Sequence, residues 1–161
     1  MRTNETPCTK GRRVVIAAVS ALVILAGAVA AGAGNRGAAP VNDAWRTECG
    51  ACHVAYPPPL LPARSWQAIM GGLDKHFGSD ASLDPAATAE IASFLERNGG
   101  RDRGPTTSLR ITDTPWFRRK HRKVAAAVWA RPAIEGPANC SACHPAADRG
   151  HYDDDTVTVP R

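Results

Sequence analysis

The chain has 161 residues, with 20 Lys or Arg against 15 Asp or Glu and a formal charge of +5. That length allows one ordinary domain or two very small ones and excludes a large multidomain enzyme. Aromatic residues make up only 6% of the chain while Gly and Pro number 14 and 13, so few side chains remain for a conventional core.

The first 13 residues carry Arg2, Lys10, Arg12 and Arg13 against a single acid, Glu5, and the apolar run Val14 to Ala33 follows. This is the charged region and hydrophobic region of an export signal, and Ala28-Val29-Ala30 and Ala31-Gly32-Ala33 both fit a cleavage site. A run of about 20 apolar residues also suffices to span a bilayer. Residues 1–34 are therefore read as a signal peptide or an N-terminal membrane anchor, and the rest of the chain ends outside the cytoplasm in both cases. Cys8 precedes the apolar run, unlike a lipoprotein cysteine, and receives no function. Residues 35–41 form a linker of small residues.

Val41 to His53 reads as a helix carrying Trp45 and ending in Cys49-Gly50-Ala51-Cys52-His53. Tyr56 to Pro62 is too rich in proline for a helix. It is expected to loop across the proximal side of the site, where a carbonyl could accept the His53 Nδ1 proton. A helix capped by Ser65 and ending near Gly78 would place Ile69, Leu73 and His76 on one face. Asp84-Pro85 starts a further helix with Ile91, Phe94 and Leu95 inward, and Asn98-Gly99-Gly100 stops it. Charges mixed with Gly, Pro, Thr and Ser over residues 99–109 mark a boundary, giving units 42–100 and 101–161. In the second unit Thr114 caps a helix with Pro115 at its first position, and Phe117, His121 and Val124 share a face. A proline-containing stretch from Trp129 to Pro137 leads to Cys140-Ser141-Ala142-Cys143-His144. Thr156 to Pro160 reads as extended.

The repeated Cys-x-x-Cys-His is the attachment signature of a c-type haem. Residues three and four apart lie on one face of a helical turn. Cys49 and Cys52 can thus both reach the vinyl groups on one porphyrin edge, with His53 reaching the iron from the same face. Cys140, Cys143 and His144 repeat the arrangement. A structural zinc site and a redox dithiol are the alternatives, but neither requires the histidine that follows each pair.

A sixth iron ligand decides between electron transfer and ligand chemistry. The sequence offers His76 and His121 as distal ligands, with Met70 and His151 as competitors. Met70 is expected to pack against the porphyrin. His151 follows His144 by seven residues in a polar stretch that reads as an exposed loop. Four histidines for two irons is the economical solution. It gives two low-spin, six-coordinate haems, in which the haems themselves supply the apolar surface that the residues lack. The four remaining cysteines are then all used by haem.

Residues 101–123 hold eight Lys or Arg and two Asp, whereas 36–100 and 124–161 each carry about −2 by the same count. Arg118, Arg119 and Arg122 could neutralise haem propionates. The segment could equally dock an acidic redox partner. Nucleic-acid binding is not expected of an exported haem protein.

Beyond the two motifs, residues 42 to 161 resemble the bacterial dihaem cytochrome c family. The resemblance rests on Glu48 to Trp66, Leu73 to Gly78, Thr112 to His121 and Asn139 to Pro145, in that order. It implies a mainly α fold with bis-histidine ligation of two covalently bound haem c groups, His76 and His121 being distal. It further implies a class I cytochrome c-like N-terminal domain and a smaller, irregular C-terminal one. Family members act as periplasmic electron carriers, associated with a monohaem cytochrome or a membrane b-type cytochrome. The leading expectation is thus an electron carrier rather than an enzyme, either free or tethered by residues 14–33. The alternative is a small haem enzyme or gas-ligand sensor with a labile sixth ligand, of peroxidase or nitrogen-oxide reductase type.

Overall fold

The computed structural model describes residues 41–102, 104 and 108–161, so the readings of residues 1–40 lie outside it. The described residues all lie in the unit that runs from Asn35 to Arg161. Among them are five helices, six short 3-10 turns, two isolated bridges and no extended strand.

Helix α1, Asp43–Gly50, starts where the Asn42 side chain accepts the Trp45 N–H at 2.8 Å, satisfying one of the donors a helix start leaves open. It is shorter than the expected Val41–His53 span. Cys52 and His53 lie in the turn beyond it. The Pro57 to Leu61 loop contains one 3-10 turn, Pro58–Leu60, because Pro is tolerated in the first turn, where no backbone donor is needed.

Helix α2, Ala63–Met70, follows Pro62, and Ser65 sits inside it rather than capping it. The Ser65 N–H already bonds the Pro62 carbonyl at 2.9 Å, and its side chain is fully buried. Gly71 and Gly72 end the helix well before Gly78, and a separate 3-10 turn, Leu73–Lys75, leads to His76. The expected single long helix is thus broken at the paired glycines, whose helix propensity is low.

Helix α3, Pro85–Asn98, has the expected start and stop. Asp84 Oδ1 accepts from the N–H groups of Ala86 and Ala87 at 2.9 and 3.0 Å. Its inner face, Ile91, Phe94 and Leu95, joins Trp45, Leu61, Trp66 and Met70 in the main core. Trp45 and Phe94 meet as tilted rings 5.3 Å apart, and Trp66 Nε1 donates to the buried Pro58 carbonyl at 2.7 Å. The glycines after α3 are required by space. A Cβ on Gly99 would lie 2.8 Å from the Ala63 nitrogen, and one on Gly100 2.3 Å from the Pro59 oxygen.

Helix α4, Pro115–Lys120, is capped as expected, with Thr114 Oγ1 accepting from Phe117 N–H at 3.1 Å. Helix α5 is the single turn Ala126–Trp129. Residues 108–161 bury only Phe117, Ile134 and Ala147 among their apolar side chains. The C-terminal stretch is extended beyond the 3-10 turn Asp154–Thr156, and Thr158 N–H bonds the Cys143 carbonyl at 3.0 Å.

Candidate metal centres

In the first motif Cys49 sits at the end of α1, and the turn through Ala51 and Cys52 carries His53 away from the helix axis. The second motif is a 3-10 turn, Cys140–Ala142. Residues three apart eclipse in such a turn, which aligns Cys140 with Cys143. The His144 N–H then bonds the Cys140 carbonyl at 2.8 Å. None of these four cysteines is in a disulfide. Burial, followed by the charge of Glu48, pushes the Cys49 thiol up to about 11, and burial also raises Cys140 and Cys143. Among the described residues no three His, Cys, Asp or Glu side chains converge in the manner of a zinc site.

The chain brings the histidines together in two local pairs. The His53 and His76 rings have centres 6.3 Å apart with planes 23° apart. The His121 and His144 rings have centres 6.3 Å apart with planes 82° apart. A metal between two imidazoles, at about 2.0 Å from each nitrogen, separates ring centres by about 6.2 Å, since each centre lies about 1.1 Å behind its nitrogen at ordinary C–N bond lengths. Both spacings match this value.

Three of the four rings have identifiable supports. His53 Nδ1 donates to the carbonyl of Val54 at 2.8 Å, its own neighbour rather than the expected Tyr56 to Pro62 loop. His121 Nδ1 donates to the Phe117 carbonyl at 3.0 Å, one helical turn back, and the two rings stack 4.0 Å apart. Such bonds fix the tautomer and free the other nitrogen for a metal. His76 meets Phe77 edge-on at 4.8 Å. Phe77 itself has φ 51°, a left-handed conformation uncommon for a bulky residue, and the Arg110 guanidinium lies 4.2 Å over its ring. His144 differs: its Nδ1 is buried and without a partner among the described residues.

Burial lowers the pKa of both His76 and His144, and the facing His53 and His121 add to the effect; Arg110 contributes at His76, while Asp154 opposes it at His144. Depressed imidazoles stay neutral, the form a metal requires. Met70 is 8% exposed and packs in the protein core. His151 is exposed and belongs to neither pair. Three residues outside the expected site also meet its rings, among them Trp129, 5.8 Å from His121. Tyr56 stacks on His53 at 4.6 Å, and Tyr152 lies 5.4 Å from His144. The only sequence signal for Tyr56 is its position three residues after His53.

The residues therefore fit two c-type haems: paired cysteines at each attachment point, paired imidazoles at the spacing of one iron, and a second half lacking its own core. The profile of the dihaem cytochrome c family matches residues 45–152.

The chain belongs to the dihaem cytochrome c family.

Solved structures similar to it include a diheme cytochrome type c from Shewanella baltica, 39% identical with a TM-score of 0.67, covering 75% of this chain and 94% of that one. A DHC purified from Rhodobacter sphaeroides is 45% identical with a TM-score of 0.60, covering 70% and 98%. A diheme cytochrome c from the same organism is 42% identical with a TM-score of 0.65, covering 72% and 100%. No curated protein sequence gives a significant match. This dihaem cytochrome c is a mainly helical electron-transfer haem protein with two covalently bound haem c groups. The cytochrome c family is typically exported. Among the described residues no helix is long and apolar enough to cross a membrane.

Proposed function

We propose that this dihaem cytochrome c is a periplasmic carrier that passes electrons between redox partners through two bis-histidine, low-spin haems. Cys49 and Cys52 hold the first haem, with His53 proximal and His76 distal. Cys140 and Cys143 hold the second, with His144 proximal and His121 distal. The observation that carries this reading is the common 6.3 Å spacing of the two histidine pairs. Each pair also falls inside one of the two units read from the sequence, 42–100 and 101–161.

Each haem supplies a ferric/ferrous couple when bound. The chain's own residues saturate the iron, so no position is left for a substrate, and the role is not enzymatic. The Val54 and Phe117 carbonyls hold His53 and His121 in one tautomer. Hydrogen bonding of this kind makes the ligand more basic. Fixed ligands require little rearrangement when the electron arrives.

Arg118, Arg119, Lys120, Arg122 and Lys123 are all exposed around His121, and Trp116 is 40% exposed beside them. We read this face as the docking site for an acidic redox partner, a monohaem cytochrome or a membrane b-type cytochrome. The N-terminal run 14–33 delivers the chain across the inner membrane as a signal or retains it there as an anchor.

The test is replacement of each distal ligand in the full, haem-loaded chain. His76→Ala and His121→Ala should each convert one haem of two to a high-spin form that binds one carbon monoxide per protein. Met70 is locked in the core and cannot substitute at the first haem. An unchanged low-spin spectrum in either variant would refute that ligand assignment.

A further inference from the structure

The chain has two tyrosines, and both lie against proximal histidines. Tyr56 has the more unusual placement. Its ring lies nearly flat on the His53 ring, with centres 4.6 Å and planes 18° apart. Its hydroxyl donates to the Ala138 carbonyl at 2.7 Å, across 82 positions of sequence. Ala138 is two residues before Cys140, and the same carbonyl accepts the Cys140 N–H at 3.0 Å. One side chain therefore touches the proximal ligand of the first centre and the backbone that presents the first attachment cysteine of the second.

We propose that Tyr56 is a positioning residue that couples the two haem sites, its ring orienting His53 and its hydroxyl fastening the segment that carries Cys140. This rests on His53 being an iron ligand and Cys140 a haem attachment point. The two functions belong to different atoms of Tyr56 and can be separated. The 135–140 segment passes through Glu135 and Gly136, with φ 59° and 114°, and its own hydrogen bonds, Asn139 N–H to the Gly136 carbonyl and Cys140 N–H to the Ala138 carbonyl, are local turns. The Tyr56 hydroxyl adds a restraint from the other half of the protein. A hydrogen bond to a backbone carbonyl fixes a point, whereas packing alone leaves the segment free to slide.

The experiment uses the full, haem-loaded chain with Tyr56→Phe, which keeps the ring and removes the hydroxyl, and Tyr56→Leu, which removes both. The ferric magnetic-resonance signal of each haem is followed through a potentiometric titration. The two signals are distinguishable because one ligand pair is nearly parallel and the other nearly perpendicular. Tyr56→Phe should leave the His53 haem signal in place. It should shift the ferric-to-ferrous ratio of the His144 haem at fixed potential by up to about fivefold, the worth of one hydrogen bond, or about 40 mV at 59 mV per tenfold. Tyr56→Leu should alter both haems. A residue that only supported the fold would lower stability without this split between variants. If the wild type lacks two low-spin signals, the ligand assignment falls and the proposal with it. If the wild type has them and Tyr56→Phe leaves the His144 haem unmoved, the proposal alone is overturned.

Discussion

Gly100→Ala should strike the first haem site without touching any ligand. The Gly100 N–H bonds the Leu61 carbonyl at 2.8 Å, where Pro62 and Gly100 form a short parallel bridge. A Cβ at position 100 would stand 2.3 Å from the Pro59 oxygen and 3.1 Å from its carbonyl carbon. Ordinary close C···O contacts are about 3.3 Å, so the two segments must part by about 1 Å. The obstacle is backbone, and neighbouring Pro58 and Leu61 are almost fully buried, so the loop cannot simply swing aside. Overpacking of this kind costs about 1 to 3 kcal/mol, and loss of the Gly100–Leu61 hydrogen bond adds about 1 kcal/mol. The expected destabilisation is therefore about 2 to 4 kcal/mol, or roughly 8 to 16 °C in melting temperature for a unit of this size. The displaced loop starts just after Val54 and Tyr56, which support His53, so the first haem should show an altered ligand field while the second does not. Gly72→Ala is the control, since its Cβ would meet only Ala68 O at an ordinary 3.7 Å. Thermal unfolding of the haem-loaded variants with parallel spectra provides the assay. A Gly100→Ala melting temperature within a degree or two of the wild type would refute the argument that this close approach clamps the loop.

The two ferric centres should give different low-spin magnetic-resonance signals. Nearly parallel imidazoles at 23° split the iron orbitals that face them, giving an ordinary rhombic signal, whereas planes at 82° leave those orbitals nearly degenerate and produce one very large g value. Two superimposable signals would contradict the ring geometry. Electron transfer to an acidic partner should slow as ionic strength rises through the range where exposed charges are screened, with a Debye length of about 10 Å at 0.1 M. Arg122→Glu with Lys123→Glu should lower the low-salt rate at least tenfold and flatten its salt dependence, as steering by charge requires. A shifted haem potential with the salt dependence intact would instead assign these residues to propionate neutralisation.

Much of this arrangement was legible because its signals are local. Asp84-Pro85 and Thr114-Pro115 begin helices where a side-chain acceptor and a proline meet the needs of a first turn, and both do so here. The two motifs, and the histidines on apolar faces, were visible as patterns within a few residues. Ser65 misled because a serine before a helical pattern resembles a cap, while the start was in fact set by Pro62. The long helix to Gly78 failed because an apolar stripe survives in the sequence even where Gly71 and Gly72 interrupt the backbone. Neither the Val54 acceptor of His53 nor the reach of Tyr56 to Ala138 could be read, since both depend on the path of a turn in space. The glycines at 99 and 100 read as a stop signal, yet their requirement comes from Pro59 and Ala63, some 40 residues earlier.

The two halves meet the same ligand geometry by different means. In residues 42–100 the helices make a core of seven buried side chains that includes two tryptophans, and His53 and His76 project from short turns at its edge. Residues 108–161 bury only three apolar side chains, and Phe117 stacked on His121, with the Trp129 ring tilted against both, forms the nearest thing to a core. Their organisation is built around the ligand itself. A porphyrin there adds the apolar surface that this half lacks, at the one place where its aromatic residues converge. A unit of about 60 residues is marginal on its own, because it buries a smaller fraction of its surface than a larger domain does. On the proposed attachment, a haem at Cys140 and Cys143 adds to a half with few buried apolar side chains, whereas one at Cys49 and Cys52 meets a scaffold that the helices already define.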